Sequence, residues 1–528
     1  MNRKLIIGTR GSDLALWQAN YIKDQLNAVG VEAGLKIIKT QGDIVQTLRL
    51  DKLEGKGFFT KELEEELLAG SIDLAVHSHK DLPTQNPPGL MIAAVSERED
   101  PAELLIVLKD CTDFKKRLSL KHNATVGTSS NRRKAQMLAM RPDLTLDDLR
   151  GNVITRIEKL RDEKYDAIML AKAGVLRLNI DLSEFYVEEL PPTEIIPAPA
   201  QGVLAVQIRE NDAELFQLLQ QVNNKEVSDL IAVERKVLSL FDGGCHAPIG
   251  CYCRKNGKEY EVWTVKSEEE EEFPDRLYLR SKTLDGIAEK VVAKYDKQRK
   301  FPLSVFITRD VPESSYFARS MAKHSIRIEG RSLIRIFPII NRLDPFILKH
   351  VDWVFFASKN GIENFFRLNP KLPKKVKFAV IGRGSEETLR NFGYVPDFNG
   401  EGSGINLDQI GAAFSKIAAG KTVLLPRAKG SLETIQKQFT ADTKLINLPV
   451  YETRMEEHVE KSSADVLIFT SPSNVEAYFV DNLVEPQQKV ICIGHSTASK
   501  LSEYGLTGAL PYSPDEIGLS EAVFGLDF

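Results

Sequence analysis

Cys245 is the side chain on which the most chemistry can be built. It stands in Asp242-Gly243-Gly244-Cys245-His246-Ala247-Pro248-Ile249-Gly250. The stretch before it, Asp229 to Phe241, carries apolar residues at helical spacing. Paired glycines after a helix let the backbone turn through positive φ, and Pro248 and Gly250 continue the turn. A thiol on such a loop suits reaction or attachment, although a free cysteine can equally be a small buried hydrophobe. A metal site made of Cys245, His246, Cys251 and Cys253 is a third reading. Neither the adjacent Cys-His pair nor Cys251-Tyr252-Cys253 has zinc-ligand spacing, so no metal is expected. Spacing alone leaves attachment and packing open.

A second constellation follows the short apolar run Ile72 to Val76: His77-Ser78-His79-Lys80-Asp81-Leu82-Pro83. Titratable residues at the C-terminal end of such a strand occupy the usual ligand position of an α/β sheet. A carboxylate there, Asp81, can stabilise a developing cation or move a proton, and Lys80 can hold a substrate carboxylate. The alternative is a surface ion pair of little energetic weight. A third set is arginine. Arg10 and Ser12 fall where a first strand meets a helix N-terminus. Thr128-Ser129-Ser130-Asn131-Arg132-Arg133 opens a helix, as does Leu149-Arg150-Gly151-Asn152 with Arg156, and Arg177 follows the next strand. Arginines in the first turn of a helix oppose its dipole, a cost that an anionic ligand would remove. The planar guanidinium suits carboxylates.

These residues need elements to hold them. Lys4 to Thr9 and Gly34 to Thr40 read as strands around a helix from Asp13 to Val29. Further strands are expected at Ile72 to Val76, Ala124 to Gly127, Asp166 to Leu170 and Val203 to Ile208. Glu54-Gly55-Lys56-Gly57-Phe58-Phe59-Thr60-Lys61 reads as a glycine-rich loop over a site, without the spacing of a P-loop. The polar run Glu97 to Pro101 and the proline-rich Leu190 to Ala200 read as the outward and return crossings between two domains. At 528 residues, 42% hydrophobic and 27% charged, the chain has room for several globular domains. A net charge of −4 offers no basic field for nucleic acid, and five cysteines suit a reducing compartment. With no run long enough to span a membrane, a cytoplasmic monomer is expected.

The motifs Gly8-Thr9-Arg10-Gly11-Ser12, Lys56 to Leu63, His77 to Pro83, Gly127 to Arg133, Leu149 to Asn152 and Gly243-Gly244-Cys245 resemble, in order, those of the porphobilinogen deaminases (hydroxymethylbilane synthases). The resemblance runs from about residue 3 to 295. It implies two periplasmic-binding-protein-like lobes, residues 1–99 with 198–221 and residues 100–197, and a small α+β domain at 222–295. It also implies a dipyrromethane cofactor joined by a thioether to Cys245 and held by Ser129, Lys80, Asp81, Arg132 and Arg133. Asp81 would be the central catalytic carboxylate, helped by Lys80. Arg10, Ser12, Arg150, Asn152, Arg156 and Arg177 would bind the carboxylates of porphobilinogen and the growing chain.

After a basic linker at 296–302, strands repeatedly end in small hydroxyl residues at helix starts: Ser358-Lys359-Asn360-Gly361, Thr470-Ser471-Pro472-Ser473 and Gly494-His495-Ser496-Thr497. Two doubly wound α/β lobes with an anion-binding cleft are expected. The pattern, with Val450-Tyr451-Glu452-Thr453, resembles uroporphyrinogen III synthase from about 303 to 528, with lobes at 303–339 plus 452–528 and at 340–451. The family implies dehydration of hydroxymethylbilane and ring closure with inversion of the last ring. Tyr451 is the candidate acid, and Ser358, Ser471, Ser473 and Thr497 are candidate carboxylate holders. The competing readings are a deaminase with a non-catalytic scaffold and a two-lobed binder of anionic metabolites.

Overall fold

The computed structural model describes residues 4–40, 60–241, 248–269, 272–296, 298–339, 343–400, 407–431 and 433–528. It divides into two compact units, Met1–Thr112 with Leu120–Arg299 and Lys300–Phe528 with Asp113–Ser119.

The first unit holds three sheets. In the first, the parallel strands Ala33–Ile37, Leu5–Thr9 and Leu74–Ser78 lie in that order, followed by Leu204–Arg209 and Leu90–Val95. Leu204–Arg209 is antiparallel to both its neighbours. The second sheet repeats this plan with Thr145–Asp147, Thr125–Gly127, Ala167–Ala171, Glu103–Val107 and Tyr186–Leu190. The chain thus leaves the first sheet after Val95, builds the second, and returns at Leu204. The third sheet is an antiparallel meander, Ile249–Asn256, Glu259–Lys266 and Asp275–Ser281. Its apolar face packs on the helix Lys225–Leu240 through Val233, Val237, Cys251 and Val262. That helix begins a turn earlier than its apolar spacing suggests, because Asn224 caps it by accepting from Val227 N at 3.0 Å.

One carboxylate ties the crossings to the third sheet. Glu234 is fully buried and accepts from both terminal nitrogens of Arg98, at 2.6 and 3.2 Å. It also accepts from the backbone N–H groups of Ala200 and Cys253, each at 2.7 Å. A buried ion pair is tolerated when further hydrogen bonds satisfy the charge, as they do here. Gly202 sits in the same knot at φ +87°, where an added Cβ would lie 2.2 Å from Glu99 O. Gly202→Ala is therefore expected to destabilise the first unit by about 3 kcal/mol, read as a lower midpoint in urea unfolding. A loss under 1 kcal/mol would mean that the crossing yields easily.

The second unit holds two sheets. Arg327–Gly330, Ser304–Ile307, Val466–Phe469 and Lys489–Cys492 form a parallel set. The other sheet runs Ile334–Pro338, Lys444–Met455, Thr422–Ala428, Trp353–Phe356, Lys377–Val380 and Phe398–Asn399. The strand Ile334–Pro338 pairs antiparallel with the C-terminal part of Lys444–Met455, Ile334 opposite Met455 and Pro338 opposite Tyr451. The local alternation of Ile334-Arg335-Ile336-Phe337 predicts a strand but carries no information about its partner.

Candidate active site

The strand Leu74–Ser78 delivers the short 3-10 turn His79–Asp81 at the C-terminal end of the parallel strands. Asp81 is exposed there. Lys80 Nζ donates to Gln201 Oε1 at 3.3 Å, and Gln201 in turn donates to Pro101 O at 2.8 Å. The lysine is therefore tied to both domain crossings. Removal from water lowers its pKa, Asp81 pulls it back up, and Arg133 lowers it again. His77 and His79 are both buried. His77 Nε2 meets Gln207 Oε1 at 3.0 Å. Burial drops the His77 pKa to about 4, and burial together with the charge of Arg235 drops that of His79 to about 3. Both imidazoles are neutral packing groups near neutral pH.

Arg132 and Arg133 lie in the first turn of the helix Asn131–Met140, capped by Ser130. Their dipole cost is met from inside the protein. Glu103, fully buried at the start of its strand, accepts from Arg132 Nη2 at 2.8 Å and from Arg133 Nε and Nη2 at 3.1 and 2.7 Å. Burial alone would raise the Glu103 pKa. Arg133 and Arg132 more than reverse this and bring it to about 2. Arg132 Nη1 also donates to Ile196 O at 2.7 Å and Arg133 Nη1 to Met169 O at 3.1 Å. A guanidinium has five N–H donors, so these bonds do not exhaust either arginine. Arg156 joins the cluster. Burial first, then Arg133, lowers its pKa to about 10, with Asp81 opposing and Arg150 adding to the fall. Lys80, Asp81, Glu103, Arg132, Arg133, Arg150 and Arg156 therefore share one electrostatic field, in which neighbouring arginines add to the effect of burial on Arg156.

Other expected residues take different places. Ser12 and Asn152 are helix caps, accepting from Ala15 N at 3.4 Å and Thr155 N at 2.8 Å. Ser129 Oγ donates to Leu149 O at 2.9 Å. Arg10 is half-buried beside Ser12. Arg177 is buried, donating to Gly202 O at 2.6 Å with its guanidinium carbon 5.5 Å from the Trp17 ring centroid. Cys245 and His246, and the loop stretch 54–59, lie outside the described residues.

In the second unit, Ser358 and Tyr451 are brought together across 93 positions of sequence, Oγ to Oη 3.2 Å. Ser358 also caps its helix by accepting from Gly361 N at 3.0 Å. Burial raises the pKa of Tyr451 and the bond to Ser358 partly offsets this, so the phenol keeps its proton at neutral pH. Ser471 caps the helix Pro472–Asp481, accepting from Asn474 N and Nδ2. Thr497 is buried in the helix His495–Ser502, and Ser473 is half-buried in the first turn of Ser471's helix.

Sequence reasoning missed Glu103, Gln201, Glu234 and Arg235. Glu103 left one signal, a charge heading the otherwise apolar run Leu104-Leu105-Ile106-Val107. Gln201 lies between the proline-rich crossing and a strand, and Glu234 and Arg235 fall in the ordinary helical run Val233-Glu234-Arg235-Lys236, places that mark nothing.

A family model described as porphobilinogen deaminase, dipyromethane cofactor binding domain, matches residues 5–217. One described as uroporphyrinogen-III synthase HemD matches residues 317–520. The porphobilinogen deaminase of Lawsonia intracellularis is 46% identical over 252 residues, 47% of this chain and 80% of that protein. That of Fusobacterium nucleatum is 42% identical over 275 residues, 51% of this chain and 89% of that protein. A solved uroporphyrinogen-III synthetase from Helicobacter pylori covers 41% of this chain and 95% of its own at 17% identity. Its TM-score is 0.30, too low to carry any argument. With four-fifths or more of these two deaminases spanned at over 40% identity, the chain belongs to the porphobilinogen deaminase family and joins to it a uroporphyrinogen-III synthase domain.

Proposed function

We propose that the first unit joins four porphobilinogen molecules into hydroxymethylbilane, releasing ammonia at each joining, and that the second dehydrates and closes the bilane to uroporphyrinogen III with its last ring inverted. The observation that carries this reading is the order of the two family matches in one chain. The proposal takes the carboxylate of Asp81 to face the azafulvenium cation left when porphobilinogen loses ammonia, with Lys80 beside it. A fixed negative charge where positive charge develops is the largest single source of catalysis a site can offer. Arg132, Arg133, Arg150 and Arg156 take the acetate and propionate groups, together with Arg10 and Arg177. Ser12 and Asn152 act through the helix N-termini they cap.

A dipyrromethane fits this donor set. Its carboxylates would supply negative charge to Arg156, whose pKa is lowered first by burial and then by Arg133. In this proposal Lys80, Ser129, Arg132 and Arg133 hold the group and Cys245 carries the thioether. When bound, it supplies a tethered pyrrole nucleophile. Everything else is asked of the protein: holding polyanions, excluding water and placing the Asp81 carboxylate.

In the second unit Tyr451 protonates the departing hydroxyl of the bilane, with Ser358 fixing its phenol. Ser471, Ser473 and Thr497 hold carboxylates at helix N-termini. Because the open bilane closes spontaneously to the type I isomer, Tyr451→Phe is expected to lower the type III share of product about tenfold or more. It should lower stability by only about 1 kcal/mol, through the lost bond to Ser358. Unchanged isomer output would remove Tyr451 from the mechanism.

The reading as a whole is tested by giving porphobilinogen alone to the cofactor-loaded protein and identifying the uroporphyrinogen isomer. Type III supports both activities. Type I leaves a deaminase beside a non-catalytic scaffold. No consumption favours a two-lobed binder of anionic metabolites. Among the described residues no helix is long and apolar enough to cross a membrane. The proposal places the chain in the cytoplasm as a monomer, which sedimentation of the full chain would check.

A further inference from the structure

The turn that carries Asp81 is three residues of 3-10 helix, with a backbone bond from Leu82 N to His79 O at 3.3 Å and an anchor at its start from His79 N to Val203 O at 2.9 Å. Pro83 has no N–H to add another. A further restraint comes from the helix Lys225–Leu240, 152 to 156 positions later. Arg235 Nη1 donates to Leu82 O at 2.9 Å and to His79 O at 3.4 Å, and Nη2 donates to Pro83 O. One planar guanidinium thus gathers carbonyls from both sides of Asp81. These are charge-assisted bonds, and a rotation of the turn that swung Asp81 would break them together. The base of the clamp is itself fixed, because the preceding residue, Glu234, is bonded to Arg98, Ala200 and Cys253.

We infer that Arg235 is a positioning residue for the reaction, setting the direction of the Asp81 carboxylate through the backbone of its turn. The inference rests on the reading of Asp81 as the central carboxylate. It gives that residue a mechanical link to the helix that ends at Leu240, a few positions before Cys245 in the chain. Any shift of that helix would be passed to the carboxylate through the guanidinium. Lysine cannot reproduce the clamp, since an ammonium is a point donor and not a planar fork.

The test uses full-length protein, with dipyrromethane content verified by intact mass and turnover expressed per cofactor-loaded molecule. Arg235→Gln is expected to lower kcat for porphobilinogen about 10- to 100-fold, as misplacement by about 1 Å does. KM should stay within about threefold, since the bonds from Arg235 to the turn go to backbone carbonyls. Arg235→Lys is expected to recover part of the loss, and it keeps the test available if the glutamine variant does not fold. Asp81→Asn is run beside them. Near-parental kcat per loaded molecule in both Arg235 variants, with Asp81→Asn inactive, overturns the positioning role alone. A rise in KM matching the fall in kcat overturns it as well, since that would be lost binding. Parental kcat in Asp81→Asn overturns the carboxylate assignment and the inference with it.

Discussion

Asp81→Asn is expected to lower turnover of porphobilinogen about 10³-fold in cofactor-loaded protein, with KM changed by less than about threefold. The substitution is nearly isosteric and the side chain is exposed at the end of a short turn, so neither packing nor the turn should suffer. What disappears is one negative charge. That charge acts on Lys80 and Arg156 in the resting protein, and in the proposed reaction it acts on the cation formed by loss of ammonia. An amide leaves the cationic transition state without the negative charge of Asp81 to offset Lys80 and Arg156, so the loss should fall on kcat. Ammonia release under saturating porphobilinogen checks this. A fall of less than tenfold would shift the central role to another group.

Glu103→Gln is expected to have the largest effect on stability, about 3–5 kcal/mol, because it leaves two buried guanidiniums without their anion. The same carboxylate sets a pH dependence whose sign is fixed. Its folded pKa of about 2 lies below the ordinary 4.5, so the folded state binds its proton less readily than the unfolded chain. Its contribution, about 3 kcal/mol by linkage, is full above pH 4.5 and is lost as the pH falls toward 2. Urea unfolding of the parent should weaken over that interval, and Glu103→Gln should be less stable at neutral pH and flatter in acid. Equal slopes for the two proteins would mean that the arginines find another anion. Since Arg132 and Arg133 are proposed to hold the dipyrromethane, the variant should also carry less of it by intact mass.

The two arginines show how the sequence and the fold divide the argument. Their position in a helix's first turn correctly marks an electrostatic cost, and an external anion is the natural inference. The structure supplies Glu103 from a strand 29 and 30 positions earlier. The arginines are therefore preorganised by an internal carboxylate before any ligand arrives. The same holds for Ser12 and Asn152, whose types and places predict helix starts and whose side-chain oxygens are already engaged as caps.

Local patterns determined a good deal by themselves. Strand–helix alternation gave the α/β class, the proline-rich return after Leu190 gave the outward-and-back path between two sheets, and residue order in six motifs gave the deaminase family. These are properties of short windows, where side-chain period and turn chemistry act within a few residues. Only the tertiary structure decided which strand the edge strand Ile334–Pro338 pairs with, that Ser358 and Tyr451 meet, and that Glu103, Gln201, Glu234 and Arg235 lock the crossings and the Asp81 turn. Each of these is a contact between residues dozens to more than a hundred positions apart. Its energy comes from hydrogen-bonding groups, charged or neutral, gathered in one place, and no period or spacing along the chain encodes that meeting.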